Sequence, residues 1–286
     1  MEYEVAKIED FGYKEHKVAK TIWKIMKYVI AISTIALLYL SIFIILLQSV
    51  NKSVNPNEFT GFTFNWYLNI AAKRSLWNAI KNTFLVSIAA TLISVVLGTF
   101  IAVGIYSLSK KHQKVMMLLN NIPLLNADIV TGVGLMLVFS FVVKLFPYIF
   151  GLPTLIIAHV FFTFPYVILS VLPKLKELDP NMFEASLDLG VKPFKSLLKV
   201  IIPSIVGGIF SGMVLAFTMS FDDFVISYYT TGNGFDTFSI WVYSSIGRKS
   251  LSPSAYAFST IVTLVSALAV IALNFIKPRG KKHAKK

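Results

Sequence analysis

Apolar residues fill six long runs along this chain, and the polar residues gather in the gaps between them. Residues 84–109, 145–173, 200–221 and 250–276 contain no Asp, Glu, Lys or Arg, and each exceeds the roughly 20 residues a spanning helix needs. Residues 29–47 are fewer but adequate, and 115–143 carries only Asp128. The pattern predicts an all-α integral membrane protein with six transmembrane helices. Backbone groups in lipid must be satisfied within the segment, and a helix does that.

The gaps divide the chain. Residues 1–27 mix five acidic residues with six lysines, which makes a charged tail and a poor signal peptide. The first run, 28–48, is therefore expected to stay as an anchor. Residues 49–75 form an external segment with Pro56, Gly61 and the aromatics Phe62, Phe64, Trp66 and Tyr67, suited to the headgroup level. Residues 76–276 hold the other five runs, and 277–286 is a basic tail that ends transfer and favours an anionic leaflet.

Composition changes this picture little. Hydrophobic residues make up 56% of the chain and the mean hydropathy is +0.70. The net charge of +13 decides orientation. With the N-terminus inside, the inner segments hold 6, 3, 5 and 6 basic residues, 20 of the 27. The positive-inside rule then places both termini in the cytoplasm, in a multi-pass protein of the cell membrane. A nucleic-acid role would need a basic face with interleaved aromatics on a soluble domain, and the pattern has none.

Candidate chemistry is sparse. The absence of cysteine excludes disulfides, thiolate metal sites and a cysteine nucleophile. His16, His112, His159 and His283 are scattered, so no metal site is expected. Only His159 lies in a run, as a helix-contact hydrogen bonder or a ligand. No phosphate-cradling loop occurs: Gly247-Arg248-Lys249-Ser250 lacks the leading glycine. Any ATP and Mg must then bind another chain, and no catalytic residue is assigned.

The longest polar interruption, residues 174–203, is the most informative stretch. Asp179-Pro180 reads as a helix start, Asp179 as the cap and Pro180 at the first helical position. Gly190 reads as its stop, free to take the left-handed conformation. Lys192-Pro193 opens a second short helix running to Pro203. Two short helices joined at a glycine make a compact knob for docking a soluble partner.

Two further places carry acids. Pro123, Asn126, Asp128, Thr131 and Gly132 are costly in lipid, so their face should look into protein or a water-filled path. A kinked packing helix with a hydrogen-bonded Asp128 is the alternative. If the helix continues through Pro123, Asp128 lies roughly 21 Å beyond Lys114. Asp222 and Asp223 follow Pro203 by roughly 28 Å of helix, near the outer end of the hydrocarbon. They read either as interfacial carboxylates ending a helix or as groups facing a solute. Tyr228, Trp241 and Tyr243, near Arg248-Lys249, are interfacial aromatics or a cation-binding wall.

Glu184-Ala185-Ser186, then Gly190, then nine residues to Val200-x-Ile202-Pro203, resembles the EAA loop of ABC importer permeases, departing from it at Ser186, Val200 and Ile202. The stretches Asp128-Ile129-Val130-x-Gly132 and Phe217-Thr218-x-Ser220-x-Asp222-Asp223 resemble the C-type permeases of spermidine/putrescine transporters. The resemblance implies a MetI-like type I importer permease fold over residues 76–276. It also implies that Glu184, Ala185, Ser186, Gly190 and Pro203 couple to a cytosolic ATPase dimer. A second permease and an extracytoplasmic polyamine-binding protein or lipoprotein would complete the transporter. Asp128, Asp222, Asp223, Tyr228, Trp241 and Tyr243 are the expected substrate path. Alternatives are a permease for another small solute, a self-sufficient channel or carrier, and a membrane scaffold. Carriers usually show two related halves, and no internal repeat is evident.

Overall fold

The computed structural model describes residues 2–146, 149–232, 234–246 and 251–275. Among these it is helical, with one isolated antiparallel bridge between Asn51 and Phe62, as the all-α expectation requires. Arg248, Lys249 and the tail 277–286 lie outside the described residues, as do Pro147 and Tyr148 of a turn between runs.

The chain divides into two units, Met1–Ile70 with Ser250–Lys286 and Ala71–Lys249. In the first, α1 (Glu2–Val50) runs unbroken through both the charged tail and the first apolar run. It is followed by α2 (Asn65–Leu68), and α13 (Pro253–Phe275) packs against both. The intervening loop is held by hydrogen bonds. Trp66 Nε1 donates to the Asn51 carbonyl at 2.7 Å, and Ser49 Oγ meets the Tyr67 hydroxyl at 2.7 Å. The aromatics of this loop thus split. Trp66 and Tyr67 are tied to the end of α1, while Phe62 and Phe64 stay exposed.

The second unit is built on three helices, α3 (Arg74–Ser107), α6 (Leu152–Lys176) and α10 (Val206–Phe221), each packed on the other two. Their contacts follow the small residues. Val167 of α6 is fully buried. A Cβ on Gly98 would stand 2.7 Å from the Val167 Cβ, and one on Gly212 would stand 3.0 Å from its Cα. In lipid there is no water to expel, so close backbone approach and internal hydrogen bonds supply the association. Ser94 and Thr163 make such a bond between α3 and α6 at 2.7 Å.

Lys20–Val50, Arg74–Ser107 and Leu152–Lys176 are each long and apolar enough to cross a membrane. Two bent pairs qualify together: α4 (Lys110–Leu125) with α5 (Asp128–Val142), turning 98°, and Pro193–Ser204 with α10, turning 73°. The apolar stretch Pro253–Ala269 of α13 falls where the sixth run was expected.

The bend between α4 and α5 corrects the straight third span. The helix does pass through Pro123 but ends at Leu125, where Asn126 and Ala127 take extended backbone angles. Asp128 therefore begins a new helix, and its depth cannot be counted from Lys114. An acid in the first turn also meets the positive end of the helix dipole, which sequence counting placed in mid-span. Lys110, Lys111 and Lys114 likewise lie in the opening turns of α4, not in a loop.

Candidate functional site: a docking knob and an acid–aromatic cluster

The knob forms as its residues dictate. Asp179 Oδ1 accepts the Asn181 amide at 2.9 Å, capping α7 (Asn181–Asp188). Gly190 has φ +79°, and its amide bonds the Leu187 carbonyl at 2.8 Å. The Val191 amide reaches back to the Ser186 carbonyl at 3.2 Å, closing the helix in the Schellman manner. Pro193 then starts α8 (Pro193–Ser196), a π-turn follows at Leu197–Ile201, and α9 (Ile202–Ser204) leads into α10. Nothing in the residue types of Leu197–Ile201 marks the π-turn.

Inside the knob, the Ser186 hydroxyl donates to the Phe183 carbonyl at 2.7 Å and meets the Ser196 hydroxyl. Phe183 and Leu197 pack against the α3–α6 core, beside Ile201 and Leu175. A cavity of about 270 Å³ remains behind them, lined in part by Tyr106, Leu178 and Glu184. Much of the rest of the knob is exposed: Glu184, which borders that cavity, Ala185, Gly190 and Pro203, with Leu189 at 84% and Phe194 at 63%. Sequence reasoning missed Leu189 and Phe194, although each is a large apolar side chain flanking the glycine turn. An inner face anchored in the spans and an outer face of exposed apolar and acidic groups can transmit a push.

The second constellation gathers at α11 (Val225–Thr230). Asp223 accepts the amides of Ser227 (2.7 Å, Oδ2) and Ile226 (3.3 Å, Oδ1), so its carboxylate caps this helix. His159 of α6 places Nδ1 2.6 Å from Ser220 Oγ and Nε2 2.9 Å from Ser227 Oγ. Hydroxyls both donate and accept, so either neutral tautomer of the ring is satisfied. Thr154 Oγ1 donates to the Thr230 carbonyl at 2.7 Å, fixing the other end of α11 to α6. His159 is thus a helix-contact hydrogen bonder, one of the two readings open to it. The node escaped sequence reasoning because its partners lie 61 and 68 residues away along the chain.

α5 packs on α11 at Gly132, where a Cβ would stand 3.1 Å from Tyr229 Cδ2. This sets Asp128 on a helix packed against the one that Asp223 caps. Asp128 and Asp222 are exposed, whereas the Asp223 side chain is 8% exposed. Phe224, Tyr228 and Tyr243 form a triangle of rings with centroids 4.9, 5.6 and 5.6 Å apart. Phe224 was missed, though it follows the acid pair directly and precedes Tyr228 by one helical turn. Trp241 takes no part in the ring pairs found among the described residues. It sits half-buried on α12 (Phe238–Ile246), whose start is pinned to α3. There Thr83 Oγ1 accepts the Phe238 amide at 2.7 Å, and Asn82 Nδ2 donates to the Asp236 carbonyl at 2.9 Å. Phe217, Phe221 and Phe84 continue the aromatic surface onto α10 and α3.

The chain is similar to known proteins. Over 242 residues the chain is 29% identical to the spermidine/putrescine transport system permease protein PotC of Escherichia coli (strain K12), covering 84% of this chain and 89% of that protein. It is 29% identical over 269 residues to the putrescine transport system permease protein PotI of the same organism, covering 93% and 94%. A PotC homolog of Mycoplasma genitalium is 29% identical over 262 residues, covering 87% and 90%. The crystal structure of a bacterial ABC transporter involved in the import of the acidic polysaccharide alginate superposes with a TM-score of 0.66. It covers 92% of this chain and 99% of that one at 16% identity, a likeness of fold alone. Residues 94–282 match the family of binding-protein-dependent transport system inner membrane components. The chain belongs to that family, the membrane-spanning permease subunits of ABC transporters.

Proposed function

We propose that this chain is one permease half of an ATP-driven polyamine importer. The observation that carries the coupling half of this reading is the two-faced knob. Phe183 and Leu197 are seated in the spans, while Ala185, Leu189 and Phe194 are exposed and Glu184 is exposed at the cavity's edge. An ATPase dimer binding ATP and Mg docks there, on the cytoplasmic side together with both termini. A second permease completes the path, and an extracytoplasmic binding protein delivers the solute. This subunit breaks no bonds. Closure of the ATPase pushes the knob, and the push reaches α6 and α10 through their shared core.

The polyamine reading is supported by the names of the relatives and by the chemistry at α11. Ammonium groups on an apolar spacer suit carboxylates interspersed with ring faces. Exposed Asp128 and Asp222, the buried Asp223 and the Phe224–Tyr228–Tyr243 rings offer that mixture. The test is reconstitution into liposomes. The chain with its partner permease, ATPase and binding protein is expected to accumulate spermidine or putrescine only with ATP. Polyamine flux through the purified chain alone would sink the reading in favour of a carrier.

A further inference from the structure

Beside the knob, the corner between α3 and α4 encloses a cavity of about 490 Å³ lined by Tyr106, Lys110, Gln113, Lys114, Met117 and Lys176. Three lysines line it, and no carboxylate does. Lys110 and Lys114 are one helical turn apart, a spacing at which like charges repel. Lys176, from the last turn of α6, adds a third ammonium to the same space. Among the described residues, the ion pair nearby, Lys174 with Glu177 at 2.8 Å, involves neither lysine of α4.

The corner is built to stay open. Gln113 Nε2 donates to the carbonyls of Tyr106 (3.0 Å) and Leu108 (2.9 Å), holding the end of α3 against α4. The Ser109 hydroxyl, at the cap position, turns to His112 Nδ1 at 2.8 Å. Thus the first amides of the 16-residue helix α4 have no side-chain cap. Uncapped amides and three lysines lining one cavity favour an anion with several oxygens.

The surroundings say which anion. Directly after Lys114, α4 exposes Val115, Met116, Leu118, Leu119 and Ile122, with Leu118 at 67%. The lysines therefore stand where an apolar helix face meets water, at headgroup depth, on the knob's side of the membrane. We infer that this cavity binds the phosphodiester headgroup of an anionic phospholipid, its acyl chains lying along the exposed face of α4. A bound headgroup would tie the end of α6, and so the root of the knob, to the start of α4.

The test uses the full chain purified in mild detergent and exchanged into mixed micelles of phosphatidylcholine and phosphatidylglycerol, with retained lipid counted by native mass spectrometry. Wild type is expected to keep phosphatidylglycerol over phosphatidylcholine. Lys110→Gln/Lys114→Gln/Lys176→Gln should lose that preference, and the matching Arg triple should keep it. Lys114→Gln alone should lower retention about five-fold, the effect of one basic side chain near an anionic surface. It preserves a readout if the triple fails to fold. Lys20→Gln/Lys24→Gln/Lys27→Gln, with the same loss of charge on α1, should retain lipid as wild type does. Unchanged retention in the cavity variants, or equal loss in the α1 triple, overturns the site. Displacement by inorganic phosphate, with phosphate persisting on lipid-free protein, would make it a soluble-anion site. Loss of the ATPase from the co-purified complex with lipid retention unchanged would make it a protein contact. Either result refutes the lipid.

Discussion

The Ser186 hydroxyl meets the Ser196 hydroxyl across the Gly190 turn, locking α7 onto α8. Both side chains are buried, and Ser186 also donates to the Phe183 carbonyl. Ser186 is one of the three positions at which the loop departs from the usual EAA pattern, and this contact is the reason a hydroxyl fits there. Removing one partner leaves the other buried without it, at a cost of about 1–3 kcal/mol, while removing both is close to neutral. Ser186→Ala and Ser196→Ala are therefore expected each to lower the melting temperature in detergent, and the double variant to recover most of the loss. Additive losses would mean that the two hydroxyls are not coupled.

The coupling role proposed for the knob puts its sharpest demand on Gly190. Its φ of +79° lies in the region that L side chains avoid, and a β-branched residue there is strained by about 1–3 kcal/mol. Gly190→Val is expected to abolish uptake and solute-stimulated ATP hydrolysis while the chain still reaches the membrane. Glu184→Lys, a charge reversal on the exposed face, should do the same with the knob folded. Full stimulated hydrolysis by Gly190→Val in the assembled complex would show that the push travels elsewhere.

The knob was legible because short-range chemistry specifies it: Asp179 caps, Gly190 turns and Pro193 restarts, each within a few residues of its partner. The apolar runs were legible for the same reason. The break at Asn126-Ala127 was legible only as a possible kink among polar residues, and the one at Ile205 was not legible, since composition there stays apolar while the backbone leaves the helix. The α11 site was half legible. Its acids and two of its tyrosines stand out in sequence, but His159 joins them only through tertiary packing.

That packing gives a further expectation. His159 holds Ser220 at the end of α10 and Ser227 in α11, and Ser227 is capped by Asp223. His159→Phe strands the buried Ser220 hydroxyl and takes one partner from that of Ser227, which also meets the Asp223 carboxylate, so about 1–3 kcal/mol of stability should be lost. Thr154→Val, at the far end of α11, leaves the Thr230 carbonyl without that donor and should cost less than His159→Phe. Melting curves of the purified chain measure both. A His159→Phe protein as stable as wild type would mean that the His159 hydrogen bonds add nothing to what holds α11.

The last expectation separates the three acids by their geometry. Asp223 is the helix cap, and Asn caps about as well as Asp, so Asp223→Ala should weaken assembly as well as uptake while Asp223→Asn largely keeps assembly. Asp128 and Asp222 are exposed and cap nothing across the cluster. If they meet the ammonium groups of a polyamine, neutralising either removes an ion pair and leaves the fold alone. An exposed pair contributes about 1 kcal/mol or less, so Asp128→Asn and Asp222→Asn should each weaken apparent affinity for spermidine by up to about five-fold. The loss should shrink as added salt screens the wild-type interaction. Putrescine, with fewer ammonium groups, should be less sensitive to losing the second acid once the first is gone. Initial rates of uptake against concentration, in the assembled transporter, measure all of this. Wild-type kinetics in both single variants and in Asp222→Asn/Asp223→Asn would make these acids structural, and the polyamine reading would then rest on the relatives' names alone.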